Sequence, residues 1–472
     1  MHLQRAGLRA RRALIVLLAL GLAMLPAACS ETAPNRVPAT SPGAAPTTIP
    51  APTPSTDAAE AASPDFDGDG KADLAYTHEK FGGVSIRYGT GKVVDINPAA
   101  LAGGPARVDG SLLAHDLNGD GYADLLFEVR PSDDMTYRIH VLFGSATGLR
   151  VAAAKSFPLP AGRVLTLSAA VVSAPVPRLV LGLRTGITAE SAQIAVYDLG
   201  TDGLPAGEPT VLSPGTGTVP LSAGYNFGYN LATWQNHLFV GASTAIVDGV
   251  DSGGVLAVDF GTAGVTSTAF ITKDTDGVPG TPGSLDYFGG SLAARDGYLA
   301  VGSPNDSSVA EASGSVEVFR ITDTGLVPDR NIWLGSPDIA GTPEPIAEFG
   351  ERVALGTICP GVTGLIIGDP DFGPARSDGS PSGAVWLVPL QKKAGCNNLF
   401  LQQGGKLPGR APSGFRTGSD VAVLRDRGSQ VDTIAFGGAA TDSPTGRLFV
   451  WSTRTGSVID TIKADPRYLA GR

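Results

Sequence analysis

Two nonapeptides, Asp65-Phe-Asp-Gly-Asp-Gly-Lys-Ala-Asp73 and Asp116-Leu-Asn-Gly-Asp-Gly-Tyr-Ala-Asp124, hold the side chains of this chain best suited to chemistry. Asp65, Asp67, Asp69 and Asp73 in the first, and Asp116, Asn118, Asp120 and Asp124 in the second, put oxygen donors at the first, third, fifth and ninth positions of one tight loop. The seventh position, Lys71 or Tyr122, can add only a backbone carbonyl. So many acidic side chains repel one another unless a hard cation sits among them, and an all-oxygen donor set favours Ca²⁺ over zinc or a redox metal. A helix-loop-helix calcium hand needs a bidentate Glu at position twelve, where this chain has Tyr76 and Phe127. A metal-free Asx-rich turn is the competing reading. The recurrence of one pattern favours metal, and Ca²⁺ is the expected cofactor.

The segments after the loops, Ala72-Asp-Leu-Ala-Tyr76 and Ala123-Asp-Leu-Leu-Phe127, read as strands, so the loops are turns in a β-structure. The rest of the chain repeats that structure. Phe227-Gly228, Phe288-Gly289 and Phe349-Gly350 each lead to an apolar strand (Leu238-Phe-Val-Gly-Ala-Ser243, Leu299-Ala-Val-Gly-Ser-Pro304 and Leu365-Ile-Ile-Gly-Asp-Pro370) and then to a third that opens at Gly253, Gly314 or Gly383. Looser copies near Arg163 and Phe415, with the two acidic loops opening one unit each, place unit starts near residues 64, 108, 163, 224, 285, 346 and 412. Short glycine-punctuated strands without helical periodicity, in units of roughly 60 residues, predict an all-β, seven-bladed β-propeller of four-stranded blades over 64–463, with 464–472 as a C-terminal tail.

The Phe-Gly pairs, the Gly-Ala-Ser, Gly-Ser-Pro and Gly-Asp-Pro triplets, and the two DxDxDGxxD-like loops resemble the FG-GAP repeats of integrin α-subunit propellers and of related bacterial exported proteins. That resemblance implies a calcium-stabilised propeller. It does not extend to integrin leg domains or heterodimer signalling. In an up-and-down blade the 1–2 and 3–4 turns share one end, so Cys359 and Cys396, assigned to those turns of the sixth blade, are expected to form a disulfide on the same face as the metal loops.

Arg5, Arg9, Arg11 and Arg12 precede an apolar run, Ala13 to Leu25, that is short for a membrane span. Leu25-Pro-Ala-Ala-Cys29 resembles a bacterial lipobox, which implies a signal peptide over 1–28 and lipidation of Cys29. Residues 29–63, nearly all Ser, Thr, Pro, Ala and Gly, cannot bury enough apolar surface to fold and form a stalk. The expected location is the outer face of the cell membrane, held by the lipid anchor alone. Loss of the four arginines takes the net charge from −10 to about −14, which argues against nucleic-acid partners.

Neither an HExxH nor a Gly-x-Ser-x-Gly motif occurs, and Gly379-Ser-Pro-Ser-Gly383 has proline at the nucleophile position. Trp234, Trp333, Trp386 and Trp451 are spread over different units and are expected to pack between sheets. Long polar connections, 243–253, 303–314, 369–383 and 439–446, all join second to third strands and so cluster on the face opposite the metal loops. The expectation is a monomeric, non-catalytic binding propeller that engages an extracellular protein or glycan through this face. The alternative is an exported hydrolase or lyase with its active site in the channel.

Overall fold

The structure is a computed structural model that describes residues 64–77, 82–132, 137–160, 165–184, 191–216, 219–224, 226–337, 339–373, 382–409, 415–438, 446–463 and 469–470. The expected signal peptide, Cys29, the expected stalk and parts of two long connections (374–381 and 439–445) lie outside the described residues.

Strand patterning follows position. Strands second from the axis are covered on both faces by neighbouring blades, and read as unbroken buried runs, as in Tyr298–Ser303 and Val362–Asp369. The outermost strands have one wet face and alternate, as in Ser457–Lys463. Seven antiparallel four-stranded sheets result. From axis to rim, blade 2 runs Ala106–His115, Asp124–Pro131, Arg138–Leu142 and Lys155–Pro158. Blade 3 follows with Leu165–Val172, Arg178–Arg184, Ala192–Asp198 and Thr210–Leu212. In blade 4 the strands are Leu231–Trp234, His237–Ala242, Gly254–Gly261 and Gly264–Ile271. Blade 5 comprises Ser291–Arg295, Tyr298–Ser303, Ser315–Thr322 and Gly325–Ile332. Blade 6 has Arg352–Cys359, Val362–Asp369, Ala384–Pro389 and Leu399–Leu401. Asp420–Leu424, Thr433–Gly438, Arg447–Ser452 and Ser457–Lys463 make blade 7.

Blade 1 is assembled from both ends of the described chain. Leu74–Thr77, Val84–Arg87 and Val93–Ile96 are its second to fourth strands. Its axial strand is Leu469–Ala470, paired Ala75 to Ala470 and Tyr76 to Leu469. This corrects the expected 464–472 tail, because two of its residues close the ring. The 65–73 loop therefore enters a second strand instead of joining the first two, although it occupies the 1–2 turn position. Seven apolar clusters, one at each junction between neighbouring blades, complete the ring; the seventh joins Leu74, Tyr76 and Leu469 to Ala422, Leu424 and Leu448 of blade 7.

The Phe-Gly position locks blades 5, 6 and 7 to their predecessors. Phe288 bridges Gly253, Phe349 bridges Gly314, and in blade 7 the bridge to Gly383 is made by Thr417. Thr417-Gly418 is thus the motif equivalent there, and Phe415, near which the sequence places the start of this unit, is a fully buried residue just ahead of it. Gly314 adopts φ 83°, and a Cβ there would come within 2.2 Å of the Phe349 carbonyl oxygen, so only glycine permits the approach. Cys359 and Cys396 form the expected disulfide between the 1–2 and 3–4 ends of blade 6. Trp386 and Trp451 are buried in inter-blade clusters and Trp234 packs partly buried against another.

Candidate metal centres

Both acidic loops turn through left-handed glycines at their fourth and sixth positions: Gly68 (φ 72°) and Gly70 (φ 84°), Gly119 (φ 73°) and Gly121 (φ 89°). These turns bring backbone N–H groups of each loop onto its first carboxylate, Gly70 onto Asp65 and Gly119, Asp120 and Gly121 onto Asp116. In each loop the ninth residue is fully buried and bridges two segments. Asp73 accepts the N–H groups of Phe66 (2.7 Å) and Gly89 (2.8 Å), and Asp124 accepts those of Leu117 and Gly144 (both 2.9 Å). The two loops are the same device built twice.

They differ in how far the carboxylates converge. In the first, one oxygen from each of Asp65, Asp67 and Asp73 lies within 4.8 Å of the other two. Asp65 takes the Gly70 N–H at 2.9 Å on one oxygen, while its other oxygen is buried without a hydrogen-bond partner. Asp69 is exposed and accepts the Lys71 N–H at 2.7 Å, so it stands outside this group, as does the exposed Lys71 side chain. In the second loop, Asp116 accepts the N–H groups of Gly119 (2.8 Å), Asp120 (3.2 Å) and Gly121 (2.9 Å). Asn118 and Asp120 bond to each other at 3.1 Å, and Asp120 accepts the Tyr122 N–H at 3.0 Å. Burial raises the Asp73 carboxyl to about 7 and Asp124 to about 6, with the backbone N–H groups opposing and the other loop carboxylates adding to the rise. Burial also raises Asp65. Buried carboxylates that repel, an orphaned inward oxygen and an oxygen-only donor set fit a hard divalent cation held by Asp65, Asp67 and Asp73.

Two contacts of the first loop were not legible in its sequence. A Cβ on Gly68 would meet the Tyr122 ring at 2.5 Å, so the loops of blades 1 and 2 abut. From blade 7, Arg427 donates its backbone N–H to Gly70 (2.8 Å) and its guanidinium to Asp65 (3.4 Å), while Asp426 accepts the Ala72 N–H at 2.8 Å. The first loop therefore sits at the seam where the ring closes.

At the same end, Asp432 ties three blades together. It accepts Arg295 of blade 5 (3.1 Å), Arg425 of blade 7 and the Thr357 N–H of blade 6 (2.7 Å). The 1–2 face is therefore the structural side of the molecule.

The opposite face carries the 2–3 connections, and these are interlocked. The Leu285 N–H bonds to the Asp251 carbonyl at 3.0 Å, and the Ile346 N–H to the Glu311 carbonyl at 2.8 Å, so each described 2–3 loop joins the loop that enters the next blade. Three aliphatic side chains stand out of this rim: Ile246 (51% exposed), Val309 (49%) and Ile346 (41%). The loops themselves are legible in the sequence but their apolar tips are not, since single aliphatic residues in a polar loop carry no pattern. His115 ends an axial strand, and burial lowers its imidazole pKa, Asp116 opposing.

Residues 65–127 match a family model described as an FG-GAP-like repeat. The protein is a seven-bladed β-propeller carrying an FG-GAP-like repeat. The family match covers less than half of the chain, and no curated protein matches it by sequence. Among solved structures, it is similar to a periplasmic gluconolactonase of Pseudomonas aeruginosa, at 13% identity over 84% of this chain and 98% of that one, with a TM-score of 0.47. It is also similar to a prolyl endopeptidase, at 12% identity over 84% of this chain and 50% of that one, with a TM-score of 0.43. At these scores neither likeness bears on function.

Proposed function

We propose that this protein is an exported, lipid-anchored binding propeller, stabilised by Ca²⁺ in its two acidic loops, that engages an extracellular protein or glycan through its 2–3 face. One observation carries the reading: Ile246, Val309 and Ile346 project from loops whose backbones are bonded from blade to blade. A preorganised rim with exposed aliphatic anchors loses little conformational freedom on binding, which favours recognition. On the other face, the FG-GAP-like loops and the Asp432 ties serve stability. Calcium in the loops would offset the repulsion among Asp65, Asp67 and Asp73, and Asp116 and Asp124 would be served in the same way. Cys29 would hold the chain to the membrane through its stalk.

The test uses the full chain extracted from membranes, with Cys29→Ala as the control that must leave the membrane fraction. Envelope proteins and glycans captured by the wild type are compared with those captured by the triple variant Ile246→Ser, Val309→Ser and Ile346→Ser. Capture should fall at least about tenfold, the equivalent of 1.4 kcal/mol. EGTA should lower the melting temperature of both, and free calcium should restore it as RT ln(1 + [Ca]/Kd). Equal capture by both forms removes the rim as the site, and a melt indifferent to EGTA removes the structural calcium.

A further inference from the structure

A second acidic centre lies on the 2–3 side of blade 6, far in sequence from the nonapeptide loops. One carboxylate oxygen from each of Glu348, Glu351 and Asp371 lies within 4.8 Å of the other two. Asp369 joins them at the end of its strand, one step past the Arg352–Gly368 pair, where the ladder places it opposite Glu351. Its side chain is fully buried, and neither carboxylate oxygen makes a hydrogen bond of good geometry among the described residues.

Arg416 is the cation placed among these groups. It pairs with Asp371, lies 3.1 Å from Glu351 and 4.0 Å from Glu348. Arg352, the next nearest, directs its guanidinium elsewhere, to the Glu351 carbonyl (2.9 Å) and to Asp420 of blade 7 (3.8 Å). Among the described residues, four carboxylates thus face one guanidinium in a site largely shielded from water. Like charges held this close are relieved by protons or by a further cation, and with both Asp369 oxygens buried and unbonded the donors offered to a cation are all oxygen. The corresponding positions of blade 5 are Tyr287, Gly290, Ser303 and Asn305, none of them acidic, so the repeat itself does not require this cluster.

We propose that Glu348, Glu351, Asp369 and Asp371 form a divalent-cation site of the calcium class on the 2–3 face. Glu348, whose side chain is 22% exposed, is the entry side, and Asp369 is the buried floor. Arg416 competes with the ion for the same oxygens. This site is independent of the two nonapeptide loops.

The test is calcium stoichiometry by equilibrium dialysis of the full chain in detergent, wild type against the double variant Glu348→Gln, Asp369→Asn. The variant should bind one calcium fewer per chain. Its calcium-free melting temperature should be equal or higher, because two mutually repelling charges are gone. The difference in count is read whether or not the nonapeptide loops bind. Arg416→Gln supplies a second arm: its calcium-free melt should drop, and its affinity at this site should rise at least about tenfold, as expected for removing a full charge so near the ion. An unchanged calcium count in the double variant, or a calcium response in Arg416→Gln no larger than in wild type, overturns the proposal.

Discussion

Blades 5 and 6 fill the same hole in opposite ways. At the same distance before Phe227, Phe288 and Phe349 stand Leu212, Lys273 and Leu334. Opposite Val240, Val301 and Ile367 in the ladders stand Leu256, Glu317 and Trp386. Beyond the second strands, at matching places, come Ala245, Asp306 and Phe372. Blade 6 packs Leu334, Ala347, Phe372 and Trp386 into one cluster, with Phe372 edge-on to Trp386 at 5.0 Å. Blade 5 instead buries Lys273 with Asp286 (3.1 Å), Asp306 (2.8 Å) and Glu317 (3.8 Å). Ser303 and Ser315 donate to Glu317, and Ser315 also donates to Asp306 at 2.6 Å. The repeat thus specifies the glycine contacts between blades and leaves the filling of the cavity open, apolar in blade 6 and carboxylates gathered around one ammonium in blade 5.

The largest effect should come from breaking the pairing. Burial alone would push the Lys273 ammonium down, but Glu317, Asp306 and Asp286 together hold it above its ordinary value. Lys273→Met leaves three buried carboxylates uncompensated and should cost about 3–5 kcal/mol in urea unfolding. The combination Lys273→Leu, Asp286→Ala, Asp306→Ala and Glu317→Leu, which takes three residues from blade 4 and the alanine at 286 from blade 6, should recover that loss or exceed wild type. If the quadruple variant is as unstable as the single one, the two fillings are not interchangeable.

The disulfide sharpens the comparison from the other end of blade 6. Its cysteines are 37 residues apart, and closing such a loop contributes up to about 4 kcal/mol in the chain-entropy model. Replacing both with Ser should lower the melting temperature, while a reducing agent should shift the wild type by the same amount and leave the variant unmoved.

The smallest effect is pH-dependent and specific to blade 5. Burial raises Glu317 from 4.5 to about 7, with Lys273 and the two serines opposing and Asp306 adding. Between those values the folded state holds a proton that the unfolded state has released. Stability therefore falls as pH rises through that window, by roughly 3 kcal/mol at most, and the loss is complete above it. Glu317→Gln should flatten the fall and gain most at pH 8. A wild-type slope retained in the variant assigns the titration to another group.

Strand positions, blade number and the metal-loop pattern were legible in the sequence because each rests on local spacing, and the Cys359–Cys396 pairing followed once the repeat had assigned both cysteines to one end of a blade. Alternation in Ser457–Lys463 and the buried run Tyr298–Ser303 announce their own environments. Lys273, Asp286, Asp306 and Glu317 read instead as ordinary polar residues of loops and one strand, since nothing local says that four side chains spread over 273–317 converge.

By itself the sequence determined an all-β repeat, its turn glycines and two oxygen-rich loops, because backbone conformation and strand faces depend on neighbours in the chain. Tertiary structure alone decided that Leu469–Ala470 completes blade 1, a strand too short to carry a periodic signal. It also decided that Asp65, Asp67 and Asp73 converge while Asp69 is exposed, and that Glu348, Glu351 and Asp371 gather around Arg416 with Asp369 beside them. Charge is read by distance in space, and those distances exist only once the ring has closed.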